Sequence, residues 1–243
     1  MTPWGTLLFA EETTGGRVFV AFIDPKDPTK ATEVKERRAL GIMAHEGIEA
    51  LPDGTVYVID ELTGGGIFKF VPDVRGDLSE WQLYAIKAAN TDGTGAFTWI
   101  SLDRAAVKVD ARAEAKKKGA SGYERPEDVE FIGSKLYVAI TGTDRVVQID
   151  PKAMVVTNFV KAGVNIGVED TKAAVKVTGL NNPDNLAQGP DGRLWIVEDN
   201  DFSDIYVAER DKDSHTLFVN IQHPDKPLAD GTWSITRNDD DDD

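Results

Sequence analysis

Asn182–Asn200 reads NPDNLAQGPDGRLWIVEDN. Pro190-Asp191-Gly192 is a tight-turn signature: proline presets φ at the first corner, and glycine takes a conformation that other residues resist. Leu194-Trp195-Ile196-Val197 follows as an apolar run with strand character, too short for a helix. Glu198, Asp199 and Asn200 stand where that strand runs out, and Asp184-Asn185 stands ahead of the turn. A hairpin folds the two polar clusters towards one end of the unit, which makes the stretch a candidate metal or anion site.

The same grammar recurs. Leu51-Pro52-Asp53-Gly54 precedes Val56-Tyr57-Val58-Ile59 and then Asp60-Glu61, and an acid stands eight positions before the turn glycine in both copies, Glu46 before Gly54 and Asp184 before Gly192. A third copy runs from Glu127-Asp128 through Gly133-Ser134 into Leu136–Ile140. A degenerate one opens the chain, with Leu7–Ala10 leading into Glu11-Glu12. A last one is Leu217–Ile221, ending in Gln222-His223. Repeated short hairpins indicate radial β architecture at about 40–45 residues per blade. Val56 to Leu136 is 80 residues and Leu136 to Leu194 is 58, so the first interval is read as two blades. The expectation is an all-β fold, a β-propeller of six blades, with five as the alternative, and one short inserted helix.

A single domain over residues 1–238 and an acidic tail at 239–243 fit the length. The hydrophobic fraction of 41% suffices for a packed core. No apolar run is long enough to span a bilayer, and no basic-plus-apolar leader opens the chain. The net charge of −15, from 27 basic and 42 acidic residues, disfavours nucleic acid as a partner. The absence of cysteine removes disulfides, thiolate nucleophiles and zinc-thiolate sites.

Val107–Lys118 is the one clear helix, with Lys116–Lys118 on its C-terminal dipole and Gly119 as its stop. Asp24–Arg38 reads as a polar surface connection, and residues 161–178 as an irregular stretch. Gly64-Gly65-Gly66 lacks the Lys-Ser/Thr of a phosphate loop and reads as a hairpin turn.

Glu11, Glu12, Glu46, Asp60, Glu61, Glu127, Asp128, Asp184, Asn185, Glu198, Asp199 and Asn200 form the candidate constellation. Carboxylate and amide oxygens suit hard cations, above all Ca²⁺. Taken singly, each is as well explained as a turn or cap residue. It is the recurrence at equivalent strand positions that points to metal. In a Glu-Glu pair only one side chain faces a given site, because neighbours on a strand point to opposite faces. Arg125 is the candidate cation, either pairing with the acids or holding a phosphate or carboxylate. His45 and His223 are candidate ligands or proton carriers, and His215 is read on a surface turn. No Gly-x-Ser-x-Gly elbow supports a serine hydrolase.

Thr2-Pro3-Trp4-Gly5-Thr6, Glu11-Glu12, His45-Glu46, Arg125-Pro126-Glu127-Asp128, Pro183-Asp184-Asn185, Glu198-Asp199-Asn200 and Asn220-Ile221-Gln222-His223-Pro224 occur in this order, and the pattern resembles the PhoX family of alkaline phosphatases. The resemblance implies a six-bladed, usually exported propeller, periplasmic or secreted, whose channel holds iron and calcium and binds phosphate monoesters. It implies metal ligation by Glu11, Glu12, Glu46, Glu127 and Glu198, with Asp128 and Asp199 beside them, and a phosphoryl-binding role for Arg125. Family members carry a cysteine iron ligand directly before the Glu-Glu pair, where this chain has Ala10. Calcium is therefore the expected metal, either alone or with Fe³⁺ in an altered di-metal site, and thiolate-ligated iron is ruled out. The expected protein is a monomer acting on a small phosphorylated substrate, with Arg125 and His223 as candidate catalytic residues. The alternatives are a calcium-dependent lactonase or esterase and a non-catalytic calcium-binding propeller.

Overall fold

A computed structural model describes residues 1–161, 180–200, 205–209 and 215–219. Its strands form antiparallel units arranged side by side. The first unit is β1 (Thr6–Ala10), β2 (Val18–Asp24) and β3 (Asp27–Glu36). The second is β4 (His45–Ala50), β5 (Val56–Asp60), β6 (Ile67–Pro72) and β7 (Trp81–Ala88), extended outward by β8 (Gly95–Ser101). Helix α1 (Val107–Lys117) follows, then β9 (Pro126–Ile132), β10 (Lys135–Ile140), β11 (Arg145–Asp150) and β12 (Val155–Lys161). The last unit is β13 (Pro183–Gln188), β14 (Leu194–Glu198), β15 (Ile205–Ala208) and β16 (His215–Val219).

The second and third units join into one nine-stranded sheet, yet β8 meets β12 at only two pairs, Val155 with Ala96 and Val156 with Gly95. They are two blades touching at their outer edges. Their first strands lie inside, β4 beside β9 and β9 beside β13, as in a β-propeller. Apolar residues of neighbouring blades fill the wedges between them. Ile59, Ile67, Val129 and Val138 lie between the second and third blades, and Tyr137, Ala139, Leu186 and Ile196 between the third and fourth. The inner hairpin of each of the last three blades closes on a glycine with positive φ, at Gly54, Gly133 and Gly192. That is the conformation the turn signatures require.

The observed strands correct the sequence reading in three places. The 80 residues from Val56 to Leu136 hold the outer strands of one enlarged blade, α1 and the next inner strand, not two blades. Four blades are present among the described residues. Asp24–Arg38 contains strand β3, whose side chains are nearly all exposed; an outermost strand wetted on both faces shows no apolar alternation, and its charges guard the open edge. His215 opens β16, opposite Ala208, and is not in a turn. His223 and residues 239–243 lie outside the described residues.

Helix α1 buries Val107, Ala111 and Ala115 in the core of the first two blades. It kinks at Asp110, whose Oδ1 accepts the N–H of Ala113 and so caps the helix anew.

Candidate functional site

The inner hairpins of three blades share one irregularity. His45 pairs with Asp60 and Ile48 with Val58; Pro126 pairs with Ile140 and Val129 with Val138; Pro183 pairs with Glu198 and Leu186 with Ile196. In each, the inner strand advances by three residues while its partner advances by two, which is a β-bulge at the same place in every blade. The bulge re-aims the residue after the first pair: Glu46, Glu127 and Asp184. The backbone around it repeats too, since Glu61 N donates to Ala44 O (3.0 Å), Thr141 N to Arg125 O (2.9 Å) and Asp199 N to Asn182 O (2.9 Å). Arg125 and Asn182, at matching positions before a proline, both adopt left-handed backbone with φ of 50° and 49°. Such strain costs on the order of 1–3 kcal/mol and is held in place by its surroundings.

These residues surround a cavity of about 830 Å³ lined by Glu12, Thr13, Thr14, Ala44, Glu46, Glu61, Leu62, Arg125, Glu127, Asp184 and Asp199. Six carboxylates and one guanidinium therefore share one space. In each acid pair that closes a strand, the second member faces the cavity: Glu12, Glu61 and Asp199. The first points away from the cavity, as alternation requires. Glu11 accepts Nε and Nη2 from one edge of the Arg17 guanidinium, at 2.7 and 2.6 Å, and its carboxyl is held below its ordinary value chiefly by that hydrogen bonding. Fully buried Asp60 is paired with Arg112. Buried Glu198 accepts the N–H of Asn181 and the Nδ2 of Asn200. Glu11 and Glu198, expected as metal ligands, are thus not brought to the cavity.

Asp128 also stands apart from the lining. Its Oδ1 accepts Val129 N (2.7 Å) and its Oδ2 accepts Leu186 N (2.9 Å), so it ties the third blade to the fourth. Asn185 is exposed, and its side chain acts to lower the Asp184 carboxyl against the effect of burial. His45 is buried with Nε2 3.0 Å from Gly41 O, and burial pulls its pKa down to about 4. Its ring stays neutral near pH 7 and is fixed to the backbone, which suits neither proton shuttling nor the cavity.

Arg125 donates Nε to Glu61 Oε1 (2.9 Å) and sets Nη2 3.1 Å from Glu127 Oε1, an ion-pair distance without hydrogen-bond alignment. Among the described residues Nη1 takes no partner. Burial would lower the pKa of the guanidinium, but the Glu61 hydrogen bond and the charges of Glu127 and Glu61 raise it. Burial raises the carboxyls of Glu12 and Asp184, with neighbouring acids adding to it. Burial, reinforced by Asp128, Asp184, Glu12 and Glu61, pushes Glu46 up to about 8. Glu127 also reaches about 8 through burial, against the opposing pull of Arg125.

Without metal, these two glutamates favour the protonated folded state. A carboxyl whose folded pKa lies above its unfolded value contributes stability below the unfolded pKa and loses it as pH rises through the folded one. The melting temperature of chelated protein should therefore fall between about pH 5 and pH 8. Calcium should abolish the fall, and its affinity should rise with pH, because binding must displace the protons. A flat melting profile for the chelated protein over that range would show that the acids do not share a desolvated space.

The donor set is oxygen only, which matches calcium. Among the described residues no three histidine or acidic side chains already stand as a closed ligand group, so the carboxylates would have to draw together on an ion. Thiolate-bound iron does not fit, because Ala10 packs against the core and the chain has no cysteine.

Sequence reading missed the lining threonines Thr13 and Thr14, the counter-ions Arg17 and Arg112, and the bulge. The recurring His/Pro-acid pair at the start of each inner strand (His45-Glu46, Pro126-Glu127, Pro183-Asp184) was the signal that marks the bulge.

Comparison with known proteins adds the lineage. The structure of Pseudomonas fluorescens PhoX in complex with vanadate, a transition state analogue, superposes with a TM-score of 0.64 at 22% identity, covering 83% of this chain and 48% of that one. A nidogen/laminin complex gives a TM-score of 0.54 at 15% identity, covering 88% of this chain and 61% of that one. At these identities the likeness shows the fold, and the chain spans about half the length of the first and under two thirds of the second. No curated protein sequence matched the chain. A sequence profile of the family described as alkaline phosphatase PhoX matches residues 16–212, most of the chain, including five of the six acids and the arginine that line the cavity. The chain belongs to the PhoX alkaline phosphatase family.

Proposed function

We propose that the protein hydrolyses phosphate monoesters at the acid-lined cavity, with calcium as its metal. The observation that carries this reading is the convergence of Glu12, Glu46, Glu61, Glu127, Asp184 and Asp199 with a single guanidinium, Arg125. A phosphate ester is repelled by bare carboxylates, so the acids make sense as a phosphate site only when cations lie between. Bound calcium would supply that neutralisation and polarise the phosphoryl oxygens.

The chain's own residues account for the rest. Glu61 accepts Nε of Arg125 and Glu127 lies at ion-pair distance from Nη2 on the same edge of the guanidinium, leaving Nη1 for a phosphoryl oxygen. The strained backbone at Arg125 fixes where that side chain leaves the rim. Thr13 and Thr14 offer hydroxyls at the mouth. Asp128 keeps the two blades that carry Glu127 and Asp184 in register. In this reading the protein acts as a monomer, and, as its family implies, it does so in the periplasm or outside the cell. Among the described residues no helix is long and apolar enough to cross a membrane.

Hydrolysis of p-nitrophenyl phosphate tests the proposal. Activity should disappear on chelation, falling at least about 10²-fold, the scale on which a lost electrostatic stabiliser of the transition state registers, and calcium should restore it. Calcium-loaded, folded protein that turns over lactones but no phosphate ester would replace this reading with a lactonase. Calcium that raises the melting temperature while no substrate is turned over would leave a structural calcium role only.

A further inference from the structure

Helix α1 is joined to the cavity rim through a buried ion pair. Its backbone clamps the segment that leads into β4: Ile42 N donates to Val107 O and Ala111 N to Ile42 O, both 2.9 Å. From the same face Arg112 donates Nε to Asp60 Oδ2 (2.5 Å) and Nη2 to Asp60 Oδ1. Asp60 is fully buried, whereas the Arg112 side chain is 29% exposed. Asp60 Oδ1 also accepts Ala44 N (3.2 Å). Ala44 O accepts Glu61 N (3.0 Å), and Glu61 Oε1 accepts Arg125 Nε (2.9 Å). A continuous run of hydrogen bonds thus leads from the inserted helix to the guanidinium in the cavity.

The first blade carries a matching arrangement, since Glu11 occupies the place of Asp60 and Arg17 closes on it from behind. Arg17 belongs to its own blade. Arg112 does not; the helix inserted after β8 brings it in. Removing it would leave a buried carboxylate one residue from Glu61 with no cation to balance it, and such a charge is costly unless it is protonated or the backbone shifts.

We infer that Arg112 is a positioning residue for phosphate binding: through Asp60 and Ala44 it fixes Glu61, and through Glu61 the direction of Arg125. The inference rests on the phosphoesterase reading and adds to it a residue with no contact to the cavity.

The test uses the calcium-loaded full chain as wild type, Arg112→Gln, Arg112→Lys and Asp60→Asn/Arg112→Gln. Melting temperature, kcat and KM on p-nitrophenyl phosphate, and the inhibition constant of inorganic phosphate are measured well below the melting point. Groups that orient a site from behind typically cost about 10–100-fold when removed. Arg112→Gln should raise KM and the phosphate inhibition constant about tenfold, with a smaller change in kcat. Arg112→Lys, which keeps the charge but not the fork, should recover part of the loss. The double variant should be no worse than Arg112→Gln alone, because both changes act through one pair. A merely structural role would lower the melting temperature and leave the binding constants of the folded protein within twofold of wild type, which overturns the inference. Should Arg112→Gln not fold, Arg112→Lys decides alone: wild-type constants reject the role and raised ones support it. Wild type that neither hydrolyses the ester nor is bound by phosphate removes the function itself, and the positioning role with it. That result is read from the wild-type arm and so cannot be confused with unchanged variants.

Discussion

Arg125→Ala should lower kcat/KM on a phosphate monoester by about 10²–10³-fold, the range measured when one preorganised donor is removed from a site where charge develops. Among the residues lining the cavity Arg125 is the one cation against six acids. Its loss removes a donor and also releases Glu61 and Glu127 to repel each other. Two controls separate these effects. Arg125→Lys restores a charge without the planar fork and should recover only part of the activity. Saturating calcium should restore the melting temperature of Arg125→Ala, since an ion can stand in for the lost charge, without restoring turnover. A kcat/KM within threefold of wild type would exclude the guanidinium from the chemistry. A rise in KM alone would assign it to uniform binding and not to the transition state.

Gly47→Ala should act on the scaffold and the site at once. Gly47 lies in the bulge of β4, directly against the next inner strand. A Cβ there would stand 2.7 Å from Val129 N, 2.8 Å from Asp128 Cα and 2.9 Å from Glu127 O. All three are backbone atoms, so no side chain can rotate away; β4 and β9 must part. Overpacking of this kind costs about 1–3 kcal/mol, or roughly 2–4 °C of melting temperature per kcal/mol in a chain of this size. The atoms displaced belong to the strand that carries Glu127. A shift near 1 Å at a reacting group can cost about 10²-fold, so activity should fall out of proportion to stability. Calcium affinity, read by titration, should weaken as well. A variant with wild-type melting temperature and turnover would show that the inner strands are not in the contact described.

Much of the cavity was readable before any coordinates because its residues follow the repeat. Glu46, Glu127 and Asp184 each stand after a His or Pro at the start of an inner strand, and a motif at fixed spacing becomes a ring when the blades do. The acid pairs were harder. Period two says that one of Glu11-Glu12 or Glu198-Asp199 faces the site but not which, and the choice rests on the phase of the strand, which a bulge can reverse. Glu11 and Glu198 fell on the wrong side for that reason. Strand β3 was hidden because nearly all of its side chains are in water, so it has no hydrophobic pattern to detect. The enlarged second blade was read as two because length alone does not tell an extra outer strand and a helix from another hairpin. Arg112 carried no local signal: its partner Asp60 is far away in sequence and is brought near only by the packing of α1.

The matching bulges make the rim intolerant of a particular kind of genetic change. Exchange of one side chain alters one wall of the cavity. Loss or gain of a single codon between Glu46 and Ile48, Glu127 and Val129, or Asp184 and Leu186 would turn a carboxylate from the lumen into the blade and an apolar neighbour the other way. Away from Gly47 and the lining acids, drift in this lineage can rewrite letters along these strands, while the count of letters in those three short intervals is held constant.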